Sequence, residues 1–148
     1  MRQIISAQRD QELLLPPCVN DWLGPDHPAR FIAQFVDQMD LKKAKLDTLS
    51  REEGGSAYAP SLLLGVWLYG YHTKRRSTRA MEEACRENMA FIWLGGNTRP
   101  DHVSLWRYWN EHRKQIGELF KQTLKEALEM NLVGMVVQAL DGTKSASK

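Results

Sequence analysis

Cysteine is scarce in these 148 residues: only Cys18 and Cys85, far apart along the chain. That excludes a small disulfide-stapled secreted scaffold and reads as two reduced thiols in a cytosolic protein. Long apolar runs are missing too. The longest, LLLGVWLYGY (62–71), is about half of what a bilayer crossing needs. The amino terminus, MRQIISAQRDQELLLPP, has neither a long apolar core nor a cleavage site, so it is not a signal peptide. No internal repeat or low-complexity tract occurs. No Gly-rich phosphate loop follows a strand, and no serine or cysteine nucleophile motif is present. The four histidines, His27, His72, His102 and His112, lack the three- or four-residue spacing of a zinc site and read as capping or surface residues. A net charge of only +2 does not by itself imply a polyanionic partner.

What charge there is lies unevenly. Residues 1–71 carry 7 basic and 9 acidic side chains; residues 72–114 carry 9 basic and 5 acidic; residues 115–148 carry 4 of each. The basic character is therefore in the middle third, concentrated in HTKRRSTR (72–79). The opening through LLLPPCVNDWLGPD reads as an extended, turning segment, with Leu13–Leu15 and Trp22 outside the core. Asp26 is a predicted helix cap with Pro28 in the first turn. Phe31, Ile32, Phe35, Val36 and Met39 then repeat at helical spacing. A loop is expected over 47–59, where Gly54 and Gly55 interrupt regular structure. The helix predicted over 60–73 is apolar nearly all round, which places it at the centre of a bundle. Ser77 or Thr78 caps a helix over 78–90 with Ala80, Met81, Ala84 and Cys85 buried and a Glu82–Arg86 pair outside. Asp101 caps the next helix. A separate amphipathic helix runs from about Ile116 to Leu128. The chain then ends on MVVQALDGTK (135–144), which reads as a short strand. The fold class is all-α, a multi-helix bundle with a lone carboxy-terminal strand stub.

Residues 60–112 have the order of a helix-turn-helix-like unit: helix, basic turn, helix, Gly-rich turn, helix. On a wheel of the third helix, Val103, Leu105, Trp106 and Trp109 fall on one side, read as packing. Ser104, Arg107, Tyr108 and Glu111 fall on the other. That polar side offers a guanidinium for guanine edges or phosphate, and hydroxyls for backbone contacts. Thr98 and Arg99 stand before the helix start, where free amides favour phosphate. Lys74, Arg75, Arg76 and Arg79 could hold the backbone alongside. The competing reading is an ordinary solvated face of a helical bundle. Trp106 and Trp109 could instead be stacking platforms for bases, but their spacing beside Val103 favours packing. Asp141, at the end of the predicted strand, could hold magnesium. Two-metal phosphoryl transfer needs several converging carboxylates, and one strand supplies one.

Several stretches, in order, resemble the amino-terminal part of bacterial insertion-sequence DDE transposases, the InsH amino-terminal domain family. They are LPPCVNDWLGPDHPARFI (15–32), FVDQMDL (35–41), GGSAYAPSLLLGVWLYGY (54–71), RSTRAMEEACRENMAFIWLGGNTRPDHVSLWRYW (76–109) and LDGTK (140–144). The fourth stretch, 76–109, with Arg-Ser-x-Arg, Glu-x-x-Cys and Pro-Asp-His, is the most specific. The resemblance implies a helical DNA-binding domain over 1–132 that recognises terminal inverted repeats, and a stub of an RNase H-like catalytic domain over 133–148. Asp141 would be the first acid of a triad whose other members have no counterpart, so this chain is expected to be a truncated form without strand-transfer activity. Magnesium is implied for the full-length family; no cofactor and no metal are expected in this chain. The partner implied is double-stranded DNA in the bacterial cytoplasm, at the nucleoid, with no membrane and no small-molecule substrate. The alternative is a dimerisation module that pairs with itself or with full-length transposase.

Overall fold

A computed structural model describes residues 7–47 and 58–129, with side chains to residue 122. The packing of the bundle is organised by one constraint: the helix at 60–72 has no polar face. The elements are a 3-10 turn at Val19–Trp22, then α1 (Pro28–Gln38), α2 (Pro60–His72), α3 (Thr78–Glu87), α4 (Met89–Leu94) and α5 (His102–Glu129). All regular structure among the described residues is helical, so the fold is all-α. The predicted strand at 135–140 and most of the predicted loop at 47–59 lie outside the described residues, as does the boundary at 132.

In α2, eight consecutive residues from Leu63 to Gly70 are buried. An apolar helix of this kind is stable only when surrounded, and α1, α3, α4 and α5 all pack on it. Gly70 makes room for α3, because a Cβ there would lie 2.6 Å from the Met81 Cε of α3 and 3.1 Å from the Arg75 carbonyl oxygen. From α4, Phe91 enters the centre and is fully buried, with its ring 4.9 Å edge-on from Tyr69. From α5, Trp109 stacks on Trp67 at 4.7 Å, and the Trp67 indole Nε1 donates to the Leu105 carbonyl at 3.0 Å.

The caps fall close to where the sequence places them, with one shift. His27, not Asp26, caps α1, its Nδ1 accepting from the Ala29 amide at 3.1 Å. Ser77 caps α3 through the Ala80 amide, and the Glu82–Arg86 pair forms at 3.3 Å. Asn88 ends α3 and starts α4 at once: its backbone N–H closes the last turn of α3, and its Oδ1 accepts from the Ala90 and Phe91 amides. One residue therefore serves as C-cap and N-cap, which makes FIWL a separate short helix where the sequence reading saw only an approach to a glycine turn.

Two packing expectations change. Phe31 of α1 is 72% exposed, while Ala29 and Val36 are the buried positions and Ile32, Phe35 and Met39 are half-buried. The helices expected at 101–112 and 116–128 are a single 28-residue helix, since nothing at 113–115 interrupts the ladder. Leu13–Leu15 and Trp22 are exposed as expected. The amino-terminal segment is fastened by Arg30, which donates to the Asn20 Oδ1 and to the carbonyls of Asn20, Leu23 and Gly24. Its guanidinium also lies 5.1 Å over the Trp93 ring.

Phe91→Ala should cost about 3–5 kcal/mol of stability, whereas Phe31→Ala should stay within about 0.5 kcal/mol; chemical denaturation of the two variants measures both.

Candidate nucleic-acid interface

The basic segment is a helix-ending turn. After α2, the Lys74 amide donates to the Tyr71 carbonyl at 3.1 Å and the Arg75 amide to the Gly70 carbonyl at 2.8 Å. This bond pair is a Schellman turn, which needs a left-handed residue just after the helix C-cap. Lys74 occupies that position with φ +62°. A non-glycine residue is strained there by about 1 kcal/mol or more, and the reversal leaves the Lys74 side chain exposed. Arg76 and Arg79 are exposed beside it. Arg76 is close enough to Tyr71 to offset in part the burial that raises that phenol above its ordinary value.

Arg75 differs from its neighbours. It is half-buried, with its guanidinium 5.3 Å over the Phe91 ring. A cation held on an aromatic face contributes about 0.5–2 kcal/mol, so Arg75 belongs first to the core and only at its edge to the surface.

The second candidate segment is the turn between α4 and α5. Gly96 takes φ +55°, and the Gly96 and Asn97 amides donate back to Trp93 and Ile92 at 3.0 Å each, another Schellman turn. Asn97 and Arg99 also have positive φ. Thr98 is exposed, but its hydroxyl donates to the Gly95 carbonyl at 2.6 Å. The Arg99 side chain is exposed and its carbonyl accepts from the Tyr58 hydroxyl. Ser104 is bonded to Asp101 by both hydroxyl and amide. Burial pushes the Asp101 carboxyl up, but those bonds and the nearby His102 outweigh it, and the net shift is downward. Thr98 and Ser104 thus build the start of α5 before they can serve a ligand. The first turn of α5 is also tied to α3, with His102 Nδ1 2.9 Å from the Glu82 Oε2.

Tyr108 is not a surface residue. It is buried, and its hydroxyl donates to the Leu46 carbonyl at 3.2 Å. Burial pushes its phenol far above the usual range. His112 is buried next to it, its Nδ1 donating to the Tyr108 carbonyl at 2.8 Å. The buried line of α5 is Leu105, Tyr108, His112 and Ile116, rotated from the line expected through Val103 and Trp106. Those two are 44% and 56% exposed. Arg107 is half-buried and engaged within the fold.

Stepping back from Ile116 by three and four gives His112, Tyr108 and Leu105, one buried line that runs along the single helix and passes beside Val103 and Trp106. The residues it turns outward, Asn110, Arg113 and Lys114, are exposed, and the wheel of the third helix does not single them out.

Among the described residues no three His, Cys, Asp or Glu side chains gather as a metal site. Asp141 lies outside the described residues. A cleft of about 390 Å³ is lined by Lys42, Lys45, Asp47, Glu111, His112 and Gln115; its lysines face as many carboxylates. No helix among the described residues is long and apolar enough to cross a membrane.

A family model described as a transposase domain (DUF772) matches residues 17–111. No curated protein and no solved structure matches the chain. The matched stretch takes in the 3-10 turn, α1 to α4 and the first three turns of α5, and with them every basic candidate residue.

Tyr108→Phe should lower stability by about 1 kcal/mol through loss of one buried bond and leave any DNA affinity unchanged, as paired denaturation and binding titrations would show. Asp101→Ala should cost about 1 kcal/mol at neutral pH. Because the folded carboxyl is depressed, its contribution is complete above the ordinary value of 3.8 and fades as pH falls through the folded value. Denaturation curves of wild type and variant should therefore converge in acid.

Proposed function

The chain belongs to the transposase domain family (DUF772), and on that premise we propose that its helical unit binds double-stranded DNA and recognises the terminal inverted repeats of an insertion sequence. The observation that carries this reading is the pair of left-handed turns that project cations: Lys74, Arg76 and Arg79 around the start of α3, and Arg99 before α5. Phosphate contacts of this kind position a duplex, and base contacts from a neighbouring helix then select the sequence. The order α2, α3, α4, α5, with α3 and α5 joined through Glu82 and His102, supports a helix-turn-helix-like use of the unit.

The finer reading is an InsH-type DDE transposase acting at the bacterial nucleoid. In it the helical unit carries recognition and no strand-cutting step. Asp141 is assigned, by likeness of LDGTK, to the first magnesium-binding acid of the DDE type. Pairing with a second copy or with another transposase protomer is compatible with this role and secondary to it.

Binding to a terminal-repeat duplex should weaken linearly on a log–log scale as salt rises, because neutralised phosphates release counterions. Lys74→Ala, Arg76→Ala and Arg79→Ala should each reduce the slope by about 1 and weaken all duplexes alike. Arg75→Ala should instead lower the denaturation midpoint. Salt-independent binding, or equal affinity for repeat and scrambled duplex, would contradict the reading.

A further inference from the structure

Residues Leu105, Tyr108, His112 and Ile116 fix which side of α5 faces the core. At 3.6 residues per turn the opposite side is a sector of roughly 120°. Along it run Val103, Asn110, Lys114 and Gly117, with Trp106 and Arg113 at one edge and Glu118 at the other. Three features of this face stand together. Its one carboxylate, Glu118, is already paired with Lys121 at 3.1 Å, and Glu111 lies on its flank. It exposes a tryptophan at 56% and a valine at 44% beside an exposed amide and two exposed cations. It also contains a glycine in mid-helix that no internal contact explains, since a Cβ at Gly117 would meet no atom within 4 Å. Glycine there costs the helix about 1 kcal/mol relative to alanine, so the fold alone would favour a side chain.

We infer that this face of α5 is the base-reading surface, with Asn110 and Arg113 as specificity-determining residues that enter the major groove of a DNA duplex. The inference rests on the DNA-binding reading above and assigns its sequence selectivity. An asparagine side chain matches the adenine N6/N7 edge, an arginine the guanine O6/N7 edge, and an apolar surface the thymine methyl. Val103 and Trp106 supply the last of these, and Lys114 meets a phosphate at the groove's rim. From Val103 to Lys114 the helix rises about 16 Å, enough to cross one groove. Gly117 lets the duplex backbone pass close to the helix where a side chain would hold it off.

The test is selection from a randomised duplex library with the full chain, followed by affinity measurements on the enriched duplex. Wild type should enrich a defined motif, and methylation of guanine N7 within it should block binding. Asn110→Ala and Arg113→Ala should each lose preference at one base position by on the order of ten- to a hundred-fold, while Lys74→Ala and Arg76→Ala keep the motif. Gly117→Ala should raise the thermal midpoint yet weaken binding, opposite signs that loss of folding cannot produce. If both Asn110→Ala and Arg113→Ala retain the wild-type motif, the assignment to α5 is wrong and DNA binding still stands. If wild type binds no duplex, both readings fail. If Trp106→Ala dissolves a homodimer and leaves the motif intact, the face belongs to a second copy and the assignment is overturned.

Discussion

Trp67 decides which way α5 faces. It stands in the enclosed stretch of α2, stacks on Trp109 at 4.7 Å and donates to the Leu105 carbonyl at 3.0 Å. Two contacts to positions four apart fix both the rotation and the height of α5 against α2. Everything on the outside of that helix then follows from its phase. Leu105, Tyr108, His112 and Ile116 turn inward, and Trp106, Asn110 and Arg113 turn outward. The tie from Tyr108 to the Leu46 carbonyl extends the same registration to the segment after α1. A bonded indole in an apolar helix is demanding: the N–H must find an acceptor or cost stability. Here the acceptor is a carbonyl of the very helix that carries the proposed interface, so core packing and surface chemistry share one contact.

The turns are the second determinant. Reversals at Lys45, Lys74 and Gly96 each use a left-handed residue, and in two of the three it is a lysine. That conformation reverses the chain in little space and holds the side chain away from the bundle, at some cost in backbone strain. Lys74 owes its exposure to that geometry as much as to its charge. Arg75 shows the converse, since the turn that presents Lys74 lays Arg75 across Phe91. A basic run therefore divides into residues facing solvent and one packing on the core, a division the charge pattern does not reveal.

Much of this architecture is legible in the sequence, and the limits have physical causes. The enclosed helix at 60–72, the Ser77 cap, the Glu82–Arg86 pair and the Asp101 start depend on local chemistry or on an unbroken apolar run, and they appear where the sequence predicts them. Asn88 acting as two caps, and so separating α3 from α4, depends on a turn that composition hardly marks. Leu105 and Trp109 pack as their spacing predicts, but Val103 and Trp106 look like part of the same stripe and are exposed. Tyr108 and His112 take their place, each burying a ring whose polar atom finds a carbonyl partner. Tyr108 consequently moves from the candidate contacts into the core. Thr98 and Ser104 are where the sequence put them, but both are committed to building the turn and cap. The strand and Asp141 fall outside the described residues, and their assignment rests on likeness of sequence.

The central claim is that a bundle organised around α2 presents α5 and the basic turn to DNA. Backbone amide chemical-shift mapping during titration with the selected duplex tests it most directly. The account predicts shifts concentrated at residues 74–79, 97–99 and 103–117, with the α1 amides and the 19–22 turn unmoved. Shifts centred on α1 or the amino-terminal segment, or none at all on saturation, would contradict it.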